Sequence, residues 1–205
     1  MSLESWGALF ITCVALSLSP GPSSTYALAT SIRQGATAGF KAVLGSTLGF
    51  STLILIALVG LTAFVATLPW LVTFMKGVGA LYLLWLAFTL WRSANANEPH
   101  TEVAQQKSLS RHHTVVRGFL IALSNPKIVL FWLAFMPSIV AVDVLTAVDM
   151  AVVIATFALV EAGVELALVW FGAAAQYFLA KHVRLIDRFS AVIFVLFAIM
   201  IVLSE

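Results

Sequence analysis

Charge is scarce in this 205-residue chain. Asp, Glu, Lys and Arg together make up 10% of it, against about 25% in a soluble domain. Hydrophobic residues make up 61%. That balance excludes an ordinary water-soluble fold and a basic nucleic-acid binder. Cysteine is nearly absent. The single Cys13 rules out an internal disulfide and sits in an apolar run, where it reads as a small buried hydrophobe. No paired Cys or His has ligand spacing, so no metal or other cofactor is expected. His112 and His113 stand beside Arg111 in a basic stretch and read as solvated. No GxxxxGK[ST] sequence is present to cradle a nucleotide phosphate. A basic segment before the first apolar run is also lacking, and Glu4 stands there instead. That run is therefore expected to be a retained helix rather than a cleaved signal.

What the chain has is long apolar runs, each near the roughly 20 residues that cross a bilayer core. Trp6 to Ile32 is the first and carries no charge. Arg33 to Lys41 is a polar connection, and Ala42 to Ala66 is the second run. Pro69 and Trp70 mark a turn, and the third run extends to about Trp91, with Lys76 close enough to its start to snorkel outward. Arg92 to Arg117 is the long polar stretch. Gly118 to Val142, Met150 to Ala180 and Leu185 to Leu203 are the remaining runs, joined by Asp143 to Asp149 and by a basic fifth loop. The expected fold is an all-α membrane protein of six transmembrane helices in a single domain, 1–205. Residues 1–91 form one three-helix half, 92–117 a loop, and 118–205 the other half.

The net charge of +2 says less than the placement of the charges. Of the 11 basic residues, nine lie in or beside odd-numbered loops: Arg33, Lys41, Arg92, Lys107, Arg111, Arg117, Lys181, Arg184 and Arg188. The opposite side shows Glu4, Asp143, Asp149 and Glu205. Positive residues stay cytoplasmic, so the odd loops are expected inside and both termini outside. Three spans per half invert the second half relative to the first, the arrangement of two inverted repeats found in many secondary transporters.

The informative positions are two breaks inside apolar runs, Leu18-Ser19-Pro20-Gly21-Pro22 and Leu123-Ser124-Asn125-Pro126-Lys127. Proline lacks an N–H and clashes with the preceding turn, so each break frees backbone polar groups at membrane depth. Lipid cannot satisfy them, so they must face protein or a water-filled cavity. Matching breaks in two halves point to a transporter's substrate site. The candidate binding residues are Ser19, Pro20, Gly21, Pro22, Ser23, Asn125, Pro126 and Lys127. The plainer reading of each break is a kink that only shapes its helix. Lys127 is the tenth residue of its run, and a lysine at mid-span costs about 2.5–3.5 kcal/mol on insertion scales, so it should face inward and find a partner. Glu161 and Glu165 are read as the only acids within a span. Four residues apart, they share one helix face. An acid pair at that depth suits a proton relay and is the candidate coupling element. The plainer reading pairs one of them with Lys127 and gives the other to an aqueous vestibule. Ala38, Ala42, Gly45 and Gly49 form a small-residue stripe, which fits close packing either within the chain or against a second copy in a homodimer.

Taken together these motifs resemble the LysE/RhtB family of amino-acid exporters. Ser19-Pro20-Gly21-Pro22 followed by Gly35, Gly39, Gly45 and Gly49 is similar to the family's first signature. Gly79-Ala80-Leu81-Tyr82-Leu83-Leu84-Trp85-Leu86 is similar to its third-helix signature. Arg117-Gly118-Phe119, Asn125-Pro126-Lys127 and Phe135-Met136-Pro137 are similar to its fourth-helix signature. The motifs cover residues 1–142; beyond them the likeness is one of length and hydropathy. The resemblance implies a multi-pass protein of the bacterial inner membrane that exports amino acids or their derivatives. It also implies driving by the proton gradient rather than ATP, with protons and lipid as the other partners. Family members often carry Asp or Asn after Pro-Gly-Pro, where Ser23 stands, and Gln after the later proline, where Ser138 stands. An acid beside the break would favour cationic substrates. Two other readings compete. A cation or heavy-metal exporter of the same superfamily would want Cys or His pairs. A membrane-embedded enzyme would need Ser19 or Ser24 to work with Lys127, for which there is no spacing signature.

Overall fold

The structure is a computed structural model and describes residues 3–19, 21–65, 70–95, 113–125, 127–129, 131–132 and 145–203. Pro20, Pro126, most of the polar stretch after Asn95 and the Phe135-Met136-Pro137-Ser138 segment lie outside them. The described residues are almost entirely helical, with no strand among them. The elements are α1 (Leu3–Leu18), α2 (Pro22–Gln34), α3 (Ala36–Val65), α4 (Trp70–Asn95), α5 (Thr114–Leu123), α6 (Ala147–Phe171) and α7 (Ala173–Leu203). Helix is the expected outcome, because in lipid a spanning segment must satisfy its own backbone.

Among the described residues, three helices are long and apolar enough to cross a membrane: α3 over Ala36–Gly60, α6, and α7 over Lys181–Leu203. The pair α1 and α2, whose axes bend by 52° at the first break, is long and apolar enough when taken together to make a fourth. The chain is a multi-span membrane protein. Its outer surface is apolar, as on Ile56, Phe88, Leu159 and Trp170, since lipid rather than water faces it.

Helix α3 packs against α5, α2 and α6. Helix α1 packs against α6 and α7, and α4 lies along α7. The core is aromatic at its centre, where Phe157 meets Phe50 and Trp132 edge-on with ring centroids 5.5 and 5.4 Å apart. Cys13 is buried in this core beside Leu9 and Leu16. The small-residue stripe works inside the chain. A Cβ on Gly45 would strike the Val115 carbonyl oxygen, and one on Gly118 would strike that of Ala42. At Gly49 the Phe119 carbonyl oxygen would be 2.5 Å away. α3 and α5 therefore meet backbone to backbone.

Three expected boundaries are corrected. The connection expected over Arg33 to Lys41 shrinks to Gly35, whose φ of +91° lets α2 turn directly into α3. The fifth run does not continue to Ala180. α6 ends at Phe171, and Gly172, at φ +47°, reverses the chain into α7. The basic fifth loop is consequently helix, with Lys181, Arg184 and Arg188 on the first half of α7. Charged residues are good helix formers, and a helix longer than the bilayer simply carries them past its edge.

Candidate functional site

The first break arises from missing donors. In a continuous helix the Leu16 carbonyl would accept from residue 20 and the Leu18 carbonyl from residue 22. Both are proline, so neither bond can form. The helix closes instead with Ser19 N–H on the Ala15 carbonyl at 3.3 Å. α2 restarts at Pro22, with Gly21 at the cap position in extended backbone (φ −138°, ψ 176°). That backbone suits any residue, so glycine serves here through the space it leaves. The Ser24 hydroxyl accepts from Gly21 N–H at 3.0 Å, which makes Ser24 a capping residue.

The second break is built the same way. The Ala122 carbonyl would accept from Pro126, which has no N–H, and takes Asn125 N–H at 3.1 Å instead. Asn125 then caps the next turn of backbone. Its Oδ1 accepts from Lys127 N–H at 3.1 Å, and its carbonyl accepts from Val129 N–H at 3.0 Å. The Asn125 side chain, read from sequence as a candidate binding residue, thus also holds the backbone of the break.

The residues flanking the two breaks meet. Lys127 Nζ donates to the Ser19 carbonyl at 3.0 Å and to the Leu16 carbonyl at 3.4 Å. The second of these is the acceptor that Pro20 leaves without a helical donor. A Cβ on Gly21 would lie 3.6 Å from Lys127 Nζ and 3.9 Å from Asn125 Nδ2. Tyr82 of α4, from the third-helix signature, donates to the Lys127 carbonyl at 3.4 Å. Ser19, Ser23 and Asn125 are buried, and Lys127 is half-buried. Ser19, Gly21, Pro22, Ser23, Asn125 and Lys127 are thus gathered around the breaks. Pro20 and Pro126 lie outside the described residues.

Glu161 and Glu165 lie alongside the first break, 5% and 0% exposed. Glu161 faces Ser17 in the last turn of α1 and lies within electrostatic reach of Lys127. Glu165 faces Ser23 in the first turn of α2 and accepts from the Ser46 hydroxyl of α3. One helical turn on α6 therefore spans the break from one half-helix to the other. Among the described residues, Glu161 Oε2 and Glu165 Oε1 meet no donor within hydrogen-bond distance, an unusual state for buried carboxyl oxygens.

One acid escaped the sequence reading. Asp187 lies within α7, 2% exposed, and within electrostatic reach of Lys127. Glu161 and Glu165 are therefore not the only acids inside a span. The signal was available as a helical period: Asp187, Ser190, Ala191, Phe194, Ala198 and Ile201 are all buried on one face. Ser190 donates to the Ala15 carbonyl at 3.3 Å, so α7 also touches the open end of α1. The assembled site holds one ammonium, three carboxyl groups and freed carbonyls at the meeting of five helical segments.

The comparisons with known proteins fit this geometry. The model of the family described as LysE type translocator matches residues 14–205. An uncharacterized membrane protein of Pseudomonas aeruginosa is 34% identical over 120 residues, covering 58% of this chain and 56% of that protein. A homoserine/homoserine lactone efflux protein of Salmonella typhimurium is 32% identical over 140 residues, covering 68% and 66%. A threonine efflux protein of Salmonella typhi is 28% identical over 202 residues, covering 92% of each. The match thus spans little more than half of the Pseudomonas relative and nearly all of the threonine one. No solved structure matches.

Proposed function

Because the chain belongs to the LysE type translocator family, a family of transporters rather than enzymes, we propose that it is a secondary exporter of amino acids or their derivatives. The observation that carries this reading is Lys127 of the second break donating to carbonyls of the first. Relatives named for homoserine and threonine efflux support it from outside. The substrate site is the space between the breaks. Freed carbonyls accept from its α-ammonium group, Lys127 meets its carboxylate, and the short α2 N-terminus adds a partial positive charge beside it. Ser23 and Asn125 select among members of the class.

Glu161 and Glu165 are the coupling pair. Protons arriving from outside neutralise buried acids, and their release inside accompanies outward movement of substrate. Six spans in two inverted halves, 1–91 and 118–205, complete the architecture. Its support is the helix pairing. Exchanging spans one, two and three for four, five and six turns the α3–α5 contact into the α6–α1 contact, and both exist. The protein resides in the inner membrane with its odd loops in the cytoplasm. Support for this side assignment comes from Arg188 donating to Asn95 at 2.8 Å, which brings a basic residue of α7 to the end of α4 that carries Arg92.

The test is efflux. Cells expressing the protein, preloaded with radiolabelled leucine, threonine and homoserine, should lose at least one of them faster than cells expressing Lys127→Ala. Equal loss for all three, together with unchanged resistance to a panel of toxic amino-acid analogues, rejects the exporter reading.

A further inference from the structure

We propose that the Leu16 and Ser19 carbonyls form a binding site for a primary ammonium group, which Lys127 occupies in the empty protein in place of the substrate's own amino group. This deepens the exporter reading and rests on it for the identity of the natural ligand.

The cradle is a product of the break. Pro20 cannot supply the donor that the Leu16 carbonyl needs, and the Ser19 carbonyl lies beyond the end of α1. Lys127 Nζ fills the gap at 3.0 and 3.4 Å. A lysine ammonium and the α-ammonium of an amino acid are the same chemical group, with three donors and no acceptor. A set of carbonyls that holds one holds the other. Ser190 covers the neighbouring Ala15 carbonyl, which bounds the cradle on that side. Gly21 sets no side chain of its own against Nζ, where even a Cβ would be in contact at 3.6 Å.

Charge explains why such an arrangement selects zwitterions. Glu161 and Asp187 set a negative field around Nζ, which favours a cation in the cradle. An incoming zwitterion puts its ammonium where Nζ was and offers its carboxylate to the displaced Lys127. The charge of the site is then unchanged. A simple amine brings no carboxylate, so displacing Lys127 would crowd two cations together. A simple carboxylate would draw Lys127 away and leave the carbonyls unsatisfied. Lys127 is therefore a specificity residue by competition, holding the cradle against amines.

The experiment uses n-butylammonium as the probe, titrated calorimetrically into the purified protein in lipid nanodiscs. Lys127→Met empties the cradle and should bind n-butylammonium at least tenfold more tightly than the unsubstituted protein. A second variant, Lys127→Met with Glu161→Gln, removes one charge of each sign, so that a lone buried acid does not decide folding. It should show a gain in the same direction. Monodisperse variants that bind the amine no better than the unsubstituted protein overturn the proposal. Amino-acid efflux by the unsubstituted protein is measured in parallel. A gain in amine binding without efflux leaves the cradle standing and removes the exporter reading. Efflux without a gain removes the cradle and leaves the exporter.

Discussion

Lys127 could be read from sequence because a charge inside an apolar run has only polar interiors to go to. The same logic exposed Glu161 and Glu165. It failed for Asp187, whose neighbours Arg184 and Arg188 are exposed and make the segment look like a loop. Only the helical period of the apolar residues after it places Asp187 inside. Its burial leads to a specific expectation. Asp187→Asn should reduce efflux at least tenfold at normal membrane abundance, because Lys127 loses one of two acids that face it. Unchanged efflux would mean that Asp187 acts on packing alone. Lys127→Ala should be harsher, abolishing efflux while part of the protein still inserts. The substitution also leaves the Leu16 and Ser19 carbonyls without their donor, and an unsatisfied buried acceptor costs about 1–3 kcal/mol, so the yield of folded protein should fall as well. Asn125→Ala separates the two roles of that side chain. Losing a cap costs about 1 kcal/mol, whereas losing a ligand contact changes affinity without changing the melting temperature of the empty protein.

At the scale of elements, apolar runs gave the helices and glycines gave the places where helices touch. The ends were less legible. Arg33, Lys41, Lys181 and Arg184 mark the water side of the bilayer, and water-side residues continue a helix as readily as they end it. The true ends are Gly35 and Gly172, single residues in the left-handed region, which in sequence look like any other glycine. Two glycines of similar appearance should therefore behave oppositely on substitution. Gly45→Leu drives a side chain into the Val115 backbone and should destabilise by about 1–3 kcal/mol, the usual cost of overpacking. Gly163, mid-helix in α6, has open space where a Cβ would go. Gly163→Ala should stabilise by about 0.5–1 kcal/mol through helix propensity. Thermal unfolding of the two purified variants, scored for direction, checks both.

For the whole molecule, the expected orientation rests on the positive-inside rule, which acts on sums over loops and tolerates boundary errors. A cytoplasmic reporter fused after Asn97 should be active and a periplasmic one silent; the reverse would overturn the topology. Coupling is tested in everted vesicles, whose lumen corresponds to the outside of the cell. An acidic lumen should drive substrate uptake, and a protonophore should abolish it. Uptake that needs ATP and ignores the protonophore would sink the proton reading. How the halves pack could not be read in advance, because the glycine spacing on α3 fits a partner in the same chain or in another. The α3–α5 contact has a mechanical consequence. At Gly45, Gly49 and Gly118 atoms of one main chain rest on atoms of the other, which leaves little room for the two helices to slide. They form a spine. α3, which follows the half-helix leaving the first break, is thereby fixed to α5, which arrives at the second. An exporter with such a spine is expected to open by swinging its half-helices at the breaks, so a cross-link joining α3 to α5 should leave efflux intact.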